Sequence, residues 1–583
     1  MFKPFKSALK FNSFWRLAAA LFGGILMGLT PAPFNAWPLA WIALVPLWIL
    51  LVKTGENSSR TQRIWQLKFL GLPLLWGIGY HGIALFWITG IHPMTWLGVP
   101  WLASLAIACF CWTFITLWGA ALVTLWAVTL TGINRLFTKV SGHPPSPWVR
   151  VAIATALWCS LEAIWSTGNL WWTALAFTQS HQNLVILHLG QLSGPTTITG
   201  AIVIVNGLIA EAILAFNSDR KSLNRTRGLL LASAIILFII LHGIGLALYN
   251  RPLSQSPETA LTVGIIQGNI PNEIKFDSQG WRRALQGYTT GYQELAEAGV
   301  DGILIPETAF PYLWTEENIR YSSFYQTILD YEATAWVGTF GSQEGNFTNS
   351  LITVTPDGET FSQYDKTKLV PLGEYIPFEK ILGKIVERLS PLEARLVAGK
   401  PDQVFDTPFG RAIAGICYDS AFSELFRRQA AAGGEFILSA SNDAHYTAIM
   451  MEQHHAQDVM RAIETDRWAV RATNTGYSAI VNPQGKTLWI SEQNTYQIHA
   501  DTIYRRQTQT LYVRWGDWLL FGFWGIAAIG FGLDYWTVKS TVKSSVLPKM
   551  MYGNNWGNRY NHLLAERELY LKAEVKAQES EIR

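Results

Sequence analysis

Hydrophobic positions along the chain fall into two regimes. Apolar stretches near 17–30, 36–52, 69–91, 98–130, 150–165, 195–216, 228–249 and 517–536 have the length and composition of helices that cross roughly 30 Å of hydrocarbon. Seven precede residue 250 and one follows 516, which predicts a polytopic α-helical membrane bundle of about eight spans. Glu162, Asn206 and Glu211 lie inside two of these stretches, and polar groups within a span turn toward the bundle interior. The first stretch follows Lys3, Lys6, Lys10 and Arg16, as a cleaved signal would. A second apolar span directly after Pro31-Ala32-Pro33 argues for a retained helix instead.

From about 258 the pattern shortens. Strand-like runs occur at 261–267, 302–305, 335–338, 350–354, 412–416, 436–439 and 477–481, and helical periodicity at roughly 280–297, 316–332, 421–432 and 452–467. Strands alternating with helices predict a layered α/β external domain. Its size, about 250 residues, is ample for a core of its own.

Composition sharpens the division. Only 15% of the 583 residues are charged and 49% are hydrophobic, against about 25% charged in an ordinary soluble protein. A disordered chain and one that wraps nucleic acid are excluded. The net charge of +3 conceals an asymmetry: residues 1–250 hold 15 Lys/Arg and 4 Asp/Glu, residues 251–536 hold 22 and 33, and the tail from 537 holds 8 and 5. In the first block the basic residues cluster in alternate connections. One holds Lys53, Arg60, Arg63 and Lys68, another Arg135, Lys139 and Arg150, a third Arg220, Lys221, Arg225 and Arg227; connections 31–35, 92–97 and 166–194 carry no charge. Lys and Arg accumulate in cytoplasmic loops. The expected organisation is therefore a seven-span membrane domain over 1–250, an extracytoplasmic domain over 251–510, a last span over 511–537 and a cytoplasmic tail over 538–583. The natural setting is a bacterial inner membrane with the soluble domain in the periplasm.

Of the four cysteines, Cys109, Cys111 and Cys159 fall in proposed spans, leaving Cys417 alone in the external domain. A lone thiol is ordinarily a small buried hydrophobe. This one ends an apolar strand, Ala412–Cys417, at the turn into a helix, where a side chain faces a crevice and a helix N-terminus favours thiolate. Glu307 ends the strand over 302–305, and Lys366 follows the strand over 350–354. Singly, such a Glu or Lys is solvated or paired. Together the three supply what acyl transfer through a thiol requires: a nucleophile, a base for its proton and a cation for the oxyanion.

The surrounding strings are distinctive. Pro306-Glu307, then Tyr364-Asp365-Lys366 running on through Leu369-Val-Pro-Leu-Gly-Glu374-Tyr-Ile-Pro377, then Ile416-Cys417-Tyr418 and Ser441-Asn442-Asp443-Ala444, resemble the nitrilase superfamily and, within it, the apolipoprotein N-acyltransferase family. The resemblance covers almost the whole chain. It implies a nitrilase-like αββα sandwich in which Glu307 is the general base, Lys366 the oxyanion-stabilising cation and Cys417 the nucleophile. Glu374, Tyr418, Asp419 and Asn442 are then supporting or substrate-binding residues. Two departures stand out: Asp419 replaces the usual Glu, implying a shorter or differently supplied contact, and His445-Tyr446 replaces Trp-Phe, which bears on acyl-chain or lipoprotein contacts. Lys368 is a near neighbour of Lys366, and the motif's register selects Lys366.

The implied reaction is ping-pong lipoprotein maturation. A membrane phospholipid acylates Cys417, and the thioester passes its acyl chain to the N-terminal amine of a diacylated apolipoprotein. The expectation is a monomeric enzyme that uses no cofactor, metal or nucleic acid. Asp443 with His445, His454 and His455 lacks the closer spacing of a zinc site. Trp171 and Trp172 predict a loop at headgroup level, and 375–400 either a lid dipping toward lipid or an amphipathic helix packed on the domain. The tail over 560–582 reads as a solvated helix. Two rival readings remain, a membrane-tethered nitrilase-like amidase that passes the acyl group to water, and a transporter with an accessory domain.

Overall fold

The computed structural model describes residues 13–56, 62–216, 221–375 and 396–551; most of the 375–400 stretch and all of the tail over 560–582 lie outside them. Helices α1 (Ser13–Gly28), α2 (Val45–Glu56), α3 (Gln62–Ala84), α4 (Trp101–Ser141), α5 (Pro147–Thr167), α6 (Gly190–Phe216) and α7 (Lys221–Tyr249) form a bundle. A last helix, Trp518–Met551, returns to it, its Asp534 Oδ2 accepting the Ser146 N–H at 2.7 Å. Among the described residues six segments are long and apolar enough to cross a membrane, and Ser13–Gly28 and Phe69–Ala84 are shorter apolar helices. These eight coincide with the eight stretches read from the sequence. α1 and α3 meet backbone to backbone: a Cβ on Gly24 would stand 2.0 Å from the Trp76 carbonyl oxygen, so only a hydrogen fits there.

The polar residues within these spans face inward, as their cost in lipid requires. Asn206 is wholly buried, accepting from the Leu44 N–H at 3.0 Å and donating to the Ala40 and Ile202 carbonyls at 2.9 Å. Glu162 takes the Trp158 indole N–H, the Leu175 N–H and the Thr199 hydroxyl.

The α/β domain is an αββα sandwich. Strands β1 (Ala260–Gln267), β2 (Gly302–Leu304), β3 (Phe310–Leu313), β4 (Thr334–Gln343), β5 (Asn346–Val354) and β6 (Thr360–Asp365) form one sheet with β13 (Gln497–Tyr504), in the order β13-β1-β2-β4-β5-β6 with β3 alongside β4. The other sheet runs β12-β11-β10-β9-β8-β7, from β7 (Phe405–Thr407), β8 (Gly410–Ile416), β9 (Phe436–Ser441), β10 (Ala469–Thr473), β11 (Ala479–Val481) and β12 (Thr487–Ile490). Alternate residues of each strand point between the sheets, Val263, Ile265 and Trp336 meeting Ala414, Leu438 and Val470 in a core that also holds Cys417. Helices α8 (Ser278–Glu297) and α9 (Ser323–Tyr331) cover the first sheet through Tyr288, Tyr292 and Phe324. The single helix expected over 316–332 is broken, a four-residue turn at Glu316–Ile319 preceding α9.

Helices α10 (Ser423–Ala431) and α11 (Ala448–Thr465) cover the second sheet, and their outer faces join the core of the bundle. α11 is docked by polar contacts to the uncharged connections. Gln453 Nε2 donates to the Ala32 and Ala84 carbonyls at 2.8 and 3.0 Å, Asn35 donates to Glu452 at 2.8 Å, and Ser180 to the Ala456 carbonyl at 2.7 Å. Trp171 and Trp172 are 7% and 8% exposed. They seal this junction, where Gln453 Oε1 accepts the Trp172 indole N–H at 2.8 Å, and a satisfied indole can be buried.

Candidate active site

Three strand ends and one loop converge at the edge of the sandwich facing the bundle. Glu307 follows β2, Lys366 follows β6, and Cys417 follows β8; they are 5%, 1% and 5% exposed. Lys366 Nζ lies 2.8 Å from Glu307 Oε1 and 2.9 Å from Glu374 Oε1, one cation between two carboxylates. Asn349 of β5 joins the same oxygens, its Nδ2 donating at 2.7 Å to Glu307 and 2.9 Å to Glu374. The second oxygen of Glu307 accepts the Asn442 backbone N–H at 2.8 Å, and that of Glu374 the Val370 N–H at 2.7 Å. Burial opposes ionisation of Glu307, but Lys366, Lys275 and Asn349 outweigh it and hold its carboxyl below the ordinary range. Glu307 is thus held as a carboxylate.

Cys417 has φ +51°, a left-handed conformation that non-glycine residues rarely adopt and that recurs at functional turns. The helix expected after it begins only at Ser423, since Cys417–Ala421 form a single 3₁₀ turn. Burial first, then the charge of Glu307, push the thiol well above its usual range, with Lys366 opposing. These surroundings favour the thiol form, whereas a helix N-terminus would have favoured thiolate. A network beneath holds its backbone. His454 Nε2 lies 2.9 Å from the Cys417 carbonyl oxygen, its Nδ1 3.0 Å from Asp443 Oδ1, and Arg471 bridges Asp443 and Asp458. A carbonyl can only accept, so His454 Nε2 carries a hydrogen. Donor atoms of Cys417, Asp443 and His454 lie within 4.8 Å of one another. Asp443 is already engaged by Arg471 and His454 by the carbonyl, which leaves a poor ligand set for a metal.

Asp419 does not touch Lys366. Its Oδ1 accepts the Lys368 N–H at 2.8 Å, and its Oδ2 the Ile416 N–H and the Tyr364 hydroxyl at 3.1 Å each. Burial raises its carboxyl to about 6. The shorter acid thus ties the end of β8 to the segment after β6. Lys368 points away from the cluster, its Nζ donating to the Thr167 carbonyl at 3.0 Å. The single hydrogen of the Tyr418 hydroxyl is shared between the Asn169 and Trp171 carbonyls, 2.8 and 3.0 Å away, and its oxygen accepts the Trp171 N–H at 3.0 Å, so the residue after the cysteine is anchored on a bundle connection. Asn442 adds Asn272 and Asn474 as side-chain partners. His445 stacks on Trp96 with centroids 5.3 Å apart, and burial lowers its imidazole to about 4.

Sequence reasoning missed Asn349, Lys275 and the His454–Arg471 network. Lys275 Nζ donates to Thr308 Oγ1 at 2.7 Å and to the Glu307 carbonyl at 3.3 Å, and burial lowers its ammonium to about 8.

A helical bundle fused to a nitrilase-fold sandwich, with a buried thiol beside a Glu–Lys–Glu cluster, defines a membrane-embedded enzyme of the carbon–nitrogen hydrolase class. Residues 262–511 match the carbon-nitrogen hydrolase family, and residues 23–208 match the apolipoprotein N-acyltransferase N-terminal domain. The chain is 56% identical over 524 residues, 89% of its length and 100% of the relative's, to the apolipoprotein N-acyltransferase of Nostoc sp. strain PCC 7120. It is 48% identical over 520 residues, 86% and 98% of the two lengths, to that of Synechocystis sp. strain PCC 6803. An amidase from Nesterenkonia sp. AN1 aligns at 17% identity with TM-score 0.35, over 47% of this chain and 100% of that one. The chain belongs to the apolipoprotein N-acyltransferase family, and it is an N-acyltransferase.

Proposed function

We propose that Cys417 carries the acyl group between two lipid substrates, with Glu307 as base and Lys366 as oxyanion stabiliser. In the first half-reaction the Cys417 sulfur attacks an ester carbonyl of a phospholipid while its proton passes to Glu307. Because the thiol is raised and the carboxyl lowered, transfer before attack is uphill; the proton moves as the C–S bond forms. Protonation of Glu307 loosens its hold on Lys366, whose charge then serves the oxyanion. The tetrahedral adduct collapses, the ester C–O bond breaks, and the lysophospholipid oxygen takes the proton from Glu307. In the second half-reaction the neutral N-terminal amine of a diacylated apolipoprotein attacks the thioester and gives its proton to Glu307. The C–S bond breaks, and the departing sulfur recovers that proton.

The observation that carries this reading is the Lys366 ammonium between two buried carboxylates beside a buried thiol, in a domain seated on membrane helices. Both substrates are lipids, and a site at membrane depth avoids extracting an acyl chain into water at about 0.8 kcal/mol per CH₂. The alternation of basic and uncharged connections supports a bacterial inner membrane with the α/β domain periplasmic, and a single chain supplies every group named, which supports a monomer. Reconstituted protein given phospholipid and a diacylated lipopeptide tests the reading. N-acyl peptide formed with equimolar lysophospholipid supports it; free fatty acid without N-acyl peptide overturns it.

A further inference from the structure

Two buried residues beside Glu307 are left unsatisfied by the triad. Asn272 and Lys275 open and close the four-residue turn Asn272–Lys275, and each is 4% exposed. Lys275 Nζ uses two of its three hydrogens on neutral acceptors, Thr308 Oγ1 at 2.7 Å and the Glu307 backbone carbonyl at 3.3 Å. Lys366 has two carboxylates in contact; among the described residues Lys275 has none, and its third hydrogen has no acceptor there. A buried ammonium without an anion is costly.

Asn272 ends a chain of amides whose orientation is set by a backbone hydrogen. The Ile270 N–H can only donate, so Asn474 presents Oδ1 to it at 2.8 Å. Asn474 Nδ2 then donates to Asn442 Oδ1 at 3.0 Å, and Asn442 Nδ2 to Asn272 Oδ1 at 3.2 Å. What remains is Asn272 Nδ2, a buried donor with no hydrogen-bond partner among the described residues. Both side chains converge on Glu307, Lys275 through the Glu307 carbonyl and Asn272 through Asn442, whose N–H the Glu307 carboxylate accepts. Positions three apart in a helical turn share a face. An unmet cation and an unmet N–H on one face suit an oxyanion.

We infer that Lys275 and Asn272 bind the phosphate of the acyl donor. The inference rests on the phospholipid donor proposed above. A phosphate diester has two unesterified oxygens, one for the ammonium and one for the amide. Cys417 and Glu307 both lie within electrostatic reach of Lys275, and a lipid held by its phosphate presents its ester to the sulfur across the glycerol carbons. The subsite also separates the two substrates. A diacylated apolipoprotein carries ester-linked chains on glycerol but no phosphate, so it gains nothing from Lys275 and Asn272 as a donor. It enters through its amine, and a nearby cation favours the neutral form that attacks.

Acylation of Cys417 in the full-length protein, followed near neutral pH by quenched peptide mass spectrometry, tests the inference. Two donors with identical chains are compared at equal mole fraction in the same micelles, dipalmitoylphosphatidylethanolamine and dipalmitoylglycerol. The phospholipid should acylate the wild-type protein roughly tenfold faster or more, the scale of a charge-assisted hydrogen bond. Lys275→Met and Asn272→Asp should each remove most of that preference. Asn272→Asp keeps the acceptor for Asn442 and replaces the unmet N–H by oxygen, so it stands as a test even if Lys275→Met misfolds. Equal use of both donors by the wild-type protein, or variants that slow both donors by the same factor, would overturn the inference; the second result would leave Lys275 as a residue that tunes Glu307. A wild-type Cys417 that takes an acyl group from neither donor would overturn the proposed function itself, and the inference with it.

Discussion

Two buried charge clusters, one in the bundle and one in the sandwich, are built to opposite ends. In the bundle, Arg150 meets Glu211 one to one, two nitrogens on two oxygens, and an indole N–H completes the carboxylate. In the sandwich, Lys366 is shared by Glu307 and Glu374 beside a thiol, and Asn349 makes up the missing donors. A matched pair has no reason to change state and locks helices together. A cation spread over two carboxylates can loosen its hold on one when that one takes a proton, so charge can move within the cluster.

The contrast can be broken by experiment. Lys366→Met should lower kcat/KM by roughly 10²–10³-fold or more, the scale for losing an oxyanion donor, while circular dichroism shows the fold retained. Arg150→Met should do the reverse: denaturant unfolding should register a loss of about 3–5 kcal/mol, the cost of leaving a buried charge unpaired, and Arg150→Met with Glu211→Gln should restore much of it. His454→Ala should lower kcat about tenfold with KM unchanged, the size expected when a nucleophile's backbone shifts slightly; equal activity with only a lower Tm would mark it as structural. The smallest effect concerns Lys275. Its ammonium titrates near 8, so it is charged throughout the acid range and favours the Glu307 carboxylate. Lys275→Met should therefore move the acid limb of kcat/KM to higher pH, by about one unit. A limb that moves to lower pH would contradict the assigned electrostatics.

What was legible in the sequence follows from how local each signal is. Spans announce themselves because twenty consecutive apolar residues need no partner to be recognised. Strands β1, β2, β8 and β9 read as apolar runs, whereas β10 was missed because Arg471 sits at its centre. That charge is compensated by Asp443 and Asp458, which lie 28 and 13 residues earlier in the chain. Asn349 gave no signal for the same reason: a lone amide in a strand acquires meaning only when Glu307, 42 residues before it, and Glu374, 25 residues after it, fold against it. Cys417, Glu307 and Lys366 were legible as a group because each ends or follows a strand, but the thiol's protonation state was not. It depends on burial beneath the bundle, and the residues that bury it are distant in sequence. The burial of Trp171 and Trp172 was not legible, because nothing near them in the chain shows that Gln453 would come to meet Trp172.

The central claim is that Cys417 holds the acyl group between two lipids. Incubation of the membrane-reconstituted protein with a phospholipid alone, quenched in acid and analysed by peptide mass spectrometry, tests it most directly. The account predicts one fatty acyl group on Cys417, absent in Cys417→Ala and discharged by a diacylated lipopeptide to give the N-acylated product. An unmodified Cys417 in a preparation that still forms N-acylated product would contradict it.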